Sequence, residues 1–78
     1  MPVPEVFSRF NATDWSNLRA LAVEARPGER MPVQLSVGWV DFERDASGRN
    51  ANVGAVTAGP GGAGEVKYRR LPLFLWPK

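Results

Sequence analysis

Three carboxylates lie at alternate positions in the middle of the sequence, at Asp41, Glu43 and Asp45. Carboxylates grouped in this way can bind a hard cation, or they can act as a paired acid and base. Arg44 lies among them, however, and no EF-hand spacing follows. Because side chains two apart on a strand share one face of a sheet, the row is predicted to be a solvated sheet face that also discourages edge pairing.

A second group combines cations with an aromatic ring, at Lys67, Tyr68, Arg69 and Arg70, with Arg44 and Arg49 across a predicted hairpin. Such a set suits single-stranded nucleic acid, since bases stack on the ring and the cations neutralise phosphates. Strand alternation places Lys67 and Arg69 on the face opposite Tyr68 and Arg70, which splits the patch. The net charge of +2 is also too small to indicate a nucleic-acid partner. A single-stranded nucleic-acid-binding module that uses these residues is therefore the alternative prediction.

The segment from Gly59 to Gly64 matches the string G-x-G-x-x-G, which in dinucleotide sites lets backbone amides approach a pyrophosphate. That role needs a helix directly after the glycines, whereas the residues after Gly64 alternate like a strand. The segment also lacks the Gly-Lys-Ser or Gly-Lys-Thr ending of a phosphate-binding loop. It is predicted to be a flexible connection, and no cofactor is predicted.

The apolar run from Leu71 to Trp76, together with Trp39, carries a further alternative. Large aromatic residues and Arg dominate protein–protein contacts, and an apolar strand can add to a partner's sheet or to a second copy of the chain. A chain of 78 residues also needs its aromatics for its own core, so core packing is the competing prediction for this run. The run is far shorter than the roughly 20 residues that cross a bilayer.

The sequence contains neither Cys nor His. Their absence removes the commonest general base near neutral pH, the commonest zinc ligands and the thiol nucleophile. The chain is therefore predicted not to be an enzyme, with no catalytic residue and no metal site. Its first residues lack a basic segment followed by a long apolar one, so we predict a cytoplasmic protein without a membrane partner.

The helix that must support these groups has a recognisable beginning. Asn11 is predicted as its N-cap, with Thr13 as the competing cap, and Asp14 lies where a negative charge favours the helix dipole. Phe10 and Trp15 lie at the two positions of a hydrophobic staple. Apolar residues then recur at a spacing near 3.6, which predicts an amphipathic helix.

The strands are predicted from alternation. Apolar residues alternate from Val33 to Trp39 and then change parity to Val40 and Phe42. A bulge near Gly38 would keep both sets on the core, whereas a regular strand would place one set on the other face. The turn formers from Asp45 to Asn50 predict a hairpin loop.

The predicted fold class is α+β, with one N-terminal helix packed on a small antiparallel sheet of about three strands in a single domain over residues 1–78. The helix is predicted over about 11–25 and the strands over about 32–44, 51–58 and 65–76. A segment around Val6 and Phe7 could add a short edge strand.

In size, compactness and lack of catalytic side chains, the chain is similar to the small proteins of phages and mobile elements, many of which block a host machine by occupying a surface. This likeness covers no motif. We expect a non-catalytic protein-binding modulator or inhibitor whose partner is a host protein or complex, for example a nucleic-acid-handling complex such as a CRISPR effector. The predicted contacts are Tyr68, Arg69, Arg70, Trp76, Asp41 and Glu43. The oligomeric state stays open, with self-association through the last strand as one form.

Overall fold

Two helical segments come first in the part of the chain that the computed structural model describes, which is residues 5–60 and 67–76. A single helical turn, α1, spans Glu5–Ser8, and the longer helix α2 spans Ala12–Glu24. The prediction of an edge strand around Val6 and Phe7 is wrong, because both residues lie in α1. The prediction of a helix over about 11–25 is confirmed.

The predicted N-cap of α2 is confirmed. The Asn11 side chain accepts a hydrogen bond from the Asp14 backbone amide at 2.7 Å, and the Asp14 carboxylate accepts one from the Asn11 backbone amide at 3.3 Å. This reciprocal pair is a capping box, so Asn11 rather than Thr13 is the cap. The staple also forms, with the Phe10 and Trp15 ring centroids 5.2 Å apart in an edge-to-face arrangement.

Four antiparallel strands follow α2, and they lie side by side in chain order. They are β1 (Arg30–Leu35), β2 (Gly38–Arg44), β3 (Asn50–Thr57) and β4 (Arg69–Pro72). The α+β class and the antiparallel sheet are therefore confirmed, and the number of strands is four rather than three. The predicted hairpin loop from Asp45 to Asn50 joins β2 to β3.

The prediction of one strand over residues 32–44 is wrong, because the chain reverses at Ser36 and Val37. The pairing of Leu35 with Gly38 and of Val33 with Val40 forms a tight hairpin. A reversal places Val33 and Val40 on the same face, so it accounts for the change of parity without the predicted bulge near Gly38. The sheet does contain an irregularity, but it lies between β2 and β3, where β3 has one extra residue opposite Asp41.

The last predicted strand, over 65–76, is much shorter in the structure. Pairing covers Arg69–Pro72, and a 3₁₀ helix, η1, follows at Leu73–Leu75. Residues 65 and 66 and the glycine-rich stretch over 61–64 lie outside the described residues. The predicted strand over about 51–58 is confirmed by β3.

The hydrophobic core lies between α1, α2 and one face of the sheet. The α2 side chains Leu18 and Ala22 have no exposed surface, and neither do Val40, Phe42 and Val53 of the sheet. The other members of the core are Phe7, Phe10, Ala25, Leu35, Ala51 and Trp76. One face of the sheet is therefore covered by the helices, and strand alternation sends the remaining side chains to the opposite face.

Candidate functional site

The face of the sheet that points away from α2 carries most of the charged strand residues. Phe42 and Val53 point into the core, so Asp41, Glu43 and Asn52 point to the opposite side. Opposite-face positions on the outer strands belong to Arg30 and Arg70. We call this surface the polar face, and we define it by Arg30, Asp41, Glu43, Asn52, Tyr68 and Arg70.

Four residues of the polar face form a row across all four strands. Arg30 is paired with Glu43, Glu43 with Asn52, and Asn52 with Arg70. Neighbouring strands lie about 4.8 Å apart, so the two ends of this row are separated by about 14 Å. The row therefore has a cation at each end and a carboxylate and an amide between them.

Tyr68 extends from the β4 side of the sheet across the polar face. Its ring centroid lies 5.2 Å from the guanidinium carbon of Arg30, which is on the opposite outer strand. Arg30 also forms an ion pair with Asp41, with 3.5 Å between Nη2 and Oδ2. Burial raises the pKa of the Tyr68 hydroxyl above its ordinary value. The positive charge of Arg30 lowers this pKa, whereas the Asp41 and Glu43 carboxylates raise it. This hydroxyl is buried and has no hydrogen-bond partner among the described residues.

Arg70 lies at the other end of the row and pairs with Asp45, with 3.7 Å between Nε and Oδ2. Asp45 also accepts hydrogen bonds from the Ser47 amide, at 2.7 Å, and from the Ser47 hydroxyl. The pKa of Asp45 lies below its ordinary value. The hydrogen bonds from the Ser47 hydroxyl and amide are the main cause, and the nearby charges of Arg70 and Arg44 add to it. The bonds from Ser47 therefore hold in place the carboxylate that lies beside the Arg70 guanidinium.

The two ion pairs present their cations outward. The side chains of Arg30 and Arg70 are 57% and 67% exposed, whereas those of Asp41 and Asp45 are 20% and 14% exposed. A guanidinium has five N–H donors, and within the described residues neither of these two makes a hydrogen bond. Each cation therefore lies beside a carboxylate while most of its donors stay available to another molecule.

Four of the six predicted partner contacts meet on the polar face, namely Asp41, Glu43, Tyr68 and Arg70. Arg69 does not, because it is paired with Val53 and lies on the helix side of β4. Arg30 and Asn52 were not predicted. Their positions beside Glu43 depend on the register of β1 against β2 and of β2 against β3, which nothing in the sequence specifies directly.

Trp76, the sixth predicted contact, is only 3% exposed. Its ring packs edge-to-face on Trp15 at 5.6 Å, and its indole N–H donates to the Leu71 carbonyl at 3.2 Å. Core packing, the competing prediction for this segment, is therefore what the structure shows for Trp76. The exposed aromatic of the segment is Phe74, at 81%.

The residues predicted to bind nucleic acid do not form one surface. The Arg44 guanidinium points to the helix side, where it donates to the Ala22 carbonyl near the end of α2. Arg49 is exposed in the β2–β3 turn, and Lys67 is exposed before β4. With Arg69 on the helix side as well, only Tyr68 and Arg70 of that set share the polar face.

Trp39 lies near the start of β2, on the same side of the sheet as Asp41. It is half-buried, and a Cβ at Gly59 would come within 3.4 Å of its indole ring. The Tyr68 ring is likewise engaged by Arg30. Each ring therefore already has a neighbour against it, which disfavours stacking of a base there.

Residues 5–60 and 67–76 contain no cluster of three or more acidic side chains arranged to hold a metal ion. Within the same residues, no helix has the length and apolar character that crossing a membrane requires. Comparison of the chain with protein-family models, with curated proteins and with solved structures finds no match.

Proposed function

We propose that this chain is a non-catalytic protein-binding module whose polar face contacts another protein. The observation that supports the proposal best is the mixed charge of this surface. Arg30 and Arg70 are exposed at its two ends, whereas Asp41 and Glu43 lie between them. Protein surfaces carry both signs of charge and match such a pattern, so electrostatic complementarity can select the partner and its orientation.

The same pattern disfavours a polyanion as the partner. Affinity for nucleic acid rises with the number of phosphates that cations neutralise together. Here the carboxylates of Asp41, Glu43 and Asp45 outnumber the two arginines that lie beside them. A modulator or inhibitor that occupies a surface of a larger assembly is a form of this function that needs no catalytic group.

The proposal is tested by charge reversal with matched controls. Glu43→Arg and Arg70→Glu change the polar face, whereas Glu24→Arg in α2 and Arg26→Glu in the following loop make the same changes on exposed residues elsewhere. Each tagged protein is used to capture partners from the lysate of its source cells, with and without nuclease, and retained proteins are quantified by mass spectrometry.

We expect a protein that survives nuclease treatment and is retained by the wild type and by both controls. Its recovery should fall about tenfold or more with each polar-face variant, because each reversal replaces an attraction with a repulsion. Equal recovery with all variants would place the contact elsewhere. Recovery of nuclease-sensitive material alone would instead support the single-stranded nucleic-acid alternative.

A further inference from the structure

The two outer strands of the sheet, β1 and β4, each contain one proline, whereas the inner strands β2 and β3 contain none. Proline has no backbone N–H, so it cannot donate a hydrogen bond to a neighbouring strand. If its nitrogen points into the sheet, the sheet loses a hydrogen bond. If its nitrogen points outward, it affects only a strand that would be added at that edge.

In β1 the nitrogen of Pro32 points outward. The Arg44 amide donates to the Glu29 carbonyl at 2.8 Å, so these two residues form a hydrogen-bonded pair at the start of the β1–β2 pairing. Hydrogen-bonded pairs alternate along antiparallel strands, so every second residue counted from Glu29 bonds to β2. The residues between them direct their backbone groups to the outer edge, and these are Arg30, Pro32 and Gln34.

The nitrogen of Pro72 in β4 points outward for the same reason. The Leu73 amide donates to the Arg49 carbonyl at 3.4 Å, directly beyond the paired residues Pro72 and Asn50. By the same alternation, Pro72 lies between two hydrogen-bonded pairs and directs its nitrogen away from β3. Because β4 is only four residues long, Arg70 is the one other residue of this strand whose backbone groups point outward.

We propose that Pro32 and Pro72 close the two edges of the sheet to an added strand, whether from a second copy of this chain or from an extended segment of another protein. A strand that paired with β1 would meet Pro32 in the middle of the three outward residues. The carbonyl of that strand opposite Pro32 would be buried without a donor, which is destabilising. Natural sheets protect their edges with proline and with charged side chains, and the exposed Arg30 and Arg70 lie on these same strands.

With both edges closed, the chain contacts other proteins through side chains rather than through backbone hydrogen bonds. Self-association through the last strand, which the sequence left open, is disfavoured by the position of Pro72. The barrier acts on any added strand, so it does not depend on the function proposed for the polar face.

The test restores the missing donors. Pro32→Val and Pro72→Val each add an outward amide on a residue that favours strands, and Pro27→Val makes the same change in the loop before β1 as a control. The double variant Pro32→Val/Gln34→Pro moves the proline to the next outward position of β1. Light scattering after size-exclusion chromatography measures the mass of each protein over a wide range of concentration, and circular dichroism checks that each variant is folded.

We expect the wild type, Pro27→Val and the double variant to remain single copies. Pro32→Val and Pro72→Val should self-associate at least about tenfold more tightly than the wild type, because each edge gains a donor. Hydrogen exchange then locates the contact: in Pro32→Val the amides of Arg30 and Gln34 should exchange more slowly as the concentration rises.

Each proline variant decides for the edge that carries its proline, and a variant that stays a single copy at every concentration would overturn the proposal there. Self-association of the double variant as strong as that of Pro32→Val would also overturn it for β1. So would slow exchange of the Arg30 and Gln34 amides in concentrated wild-type protein, a measurement that needs no variant to fold.

Discussion

At the scale of single residues, Asp14 joins the start of α2 to the β1–β2 turn. Its carboxylate is 3% exposed and accepts hydrogen bonds from the Ser36 amide at 3.0 Å, from the Ser36 hydroxyl and from the Asn11 amide. Burial alone would raise the pKa of Asp14. The hydrogen bonds from Ser36 and Asn11 outweigh that effect, so the pKa lies below the ordinary value of 3.8.

We therefore predict that Asp14→Asn lowers the free energy of unfolding by about 1–2 kcal/mol at neutral pH, because the amide cannot accept all three bonds. The native-state pKa of Asp14 is lower than its unfolded value. Its stabilising effect is therefore complete above the ordinary value of 3.8 and is lost as the pH falls through the lowered native pKa. Urea unfolding at neutral and acidic pH should show the difference between wild type and variant narrowing in acid.

The matched control is Glu24→Gln, which makes the same chemical change at an exposed position of α2. It should alter stability by only a few tenths of a kcal/mol, since a carboxylate near a helix C-terminus gains nothing from the dipole. Asp45 also has a lowered pKa, but it titrates in both proteins and cancels from the comparison. A difference between wild type and Asp14→Asn that is the same at both pH values would contradict the role of the charge.

The two roles of Asp14 were not equally predictable. Its part in the capping box follows from its place three residues after Asn11, which is local information. Its bonds to Ser36 join residues 22 positions apart. They form only because the chain reverses at Ser36, and that reversal was not predicted.

At the scale of elements, the β1–β2 hairpin depends on Gly38. Among the described residues, Ser36 and Val37 have no positive φ, whereas Gly38 has φ +116°. A short turn built from residues with negative φ matches the twist of its strands when a residue with positive φ follows it, and glycine is the usual choice. A Cβ at Gly38 would also lie 3.3 Å from Val56 Cγ1 on the neighbouring strand.

We predict that Gly38→Ala lowers the free energy of unfolding by more than Gly28→Ala does. Both glycines have positive φ, so each substitution carries backbone strain of about 1–3 kcal/mol. A methyl group added at Gly28 would meet no atom within 4 Å, whereas a methyl group at Gly38 meets Val56. Chemical denaturation of the two variants measures the difference in their free energies of unfolding. Equal decreases would show that the Val56 side chain moves aside without destabilising the protein.

The sequence could not distinguish this hairpin from a bulged strand. Ser36–Val37 has none of the Asn-Gly or Asp-Gly signals that mark tight hairpins. A bulge and a reversal also both place Val33 and Val40 on the core, so the change of parity fits either. The hairpin at residues 45–50 was predictable because this stretch is rich in Asp, Ser, Gly and Asn, which favour turns.

At the scale of the whole molecule, the polar face exists because the pairing of four strands brings their polar residues side by side. The sequence predicted that Asp41 and Glu43 share a solvated face, since their spacing alone determines it. It could not bring Arg30 or Asn52 to them, because that needs the pairing of β1, β2 and β3. The sequence also could not show that Trp76 is buried and Phe74 exposed, because η1 interrupts the alternation that a strand would have had.

Edge-to-face aromatic contacts connect distant parts of the chain through the core. Phe7 contacts Phe10 at 5.7 Å, Phe10 contacts Trp15 at 5.2 Å, and Trp15 contacts Trp76 at 5.6 Å. Such pairs contribute about 0.5–1.5 kcal/mol each beyond the burial of their area. These aromatic contacts join α1 and α2 to the segment after β4, so Trp76 packs against the part of the core that the two helices form.

Trp76→Ala is therefore expected to destabilise the whole domain, by about 3–5 kcal/mol, through the cavity it leaves and the lost contact with Trp15. Small domains have a total stability of about 0.05–0.15 kcal/mol per residue, so this loss is a large share of what a chain of 78 residues holds. Phe74→Ala, two residues away, should change stability by no more than about 0.5 kcal/mol, because that ring is exposed. Thermal unfolding followed by circular dichroism compares the two variants. A stable Trp76→Ala protein would mean that the segment after β4 is not part of the cooperative core, and it would restore Trp76 as a candidate for partner contact.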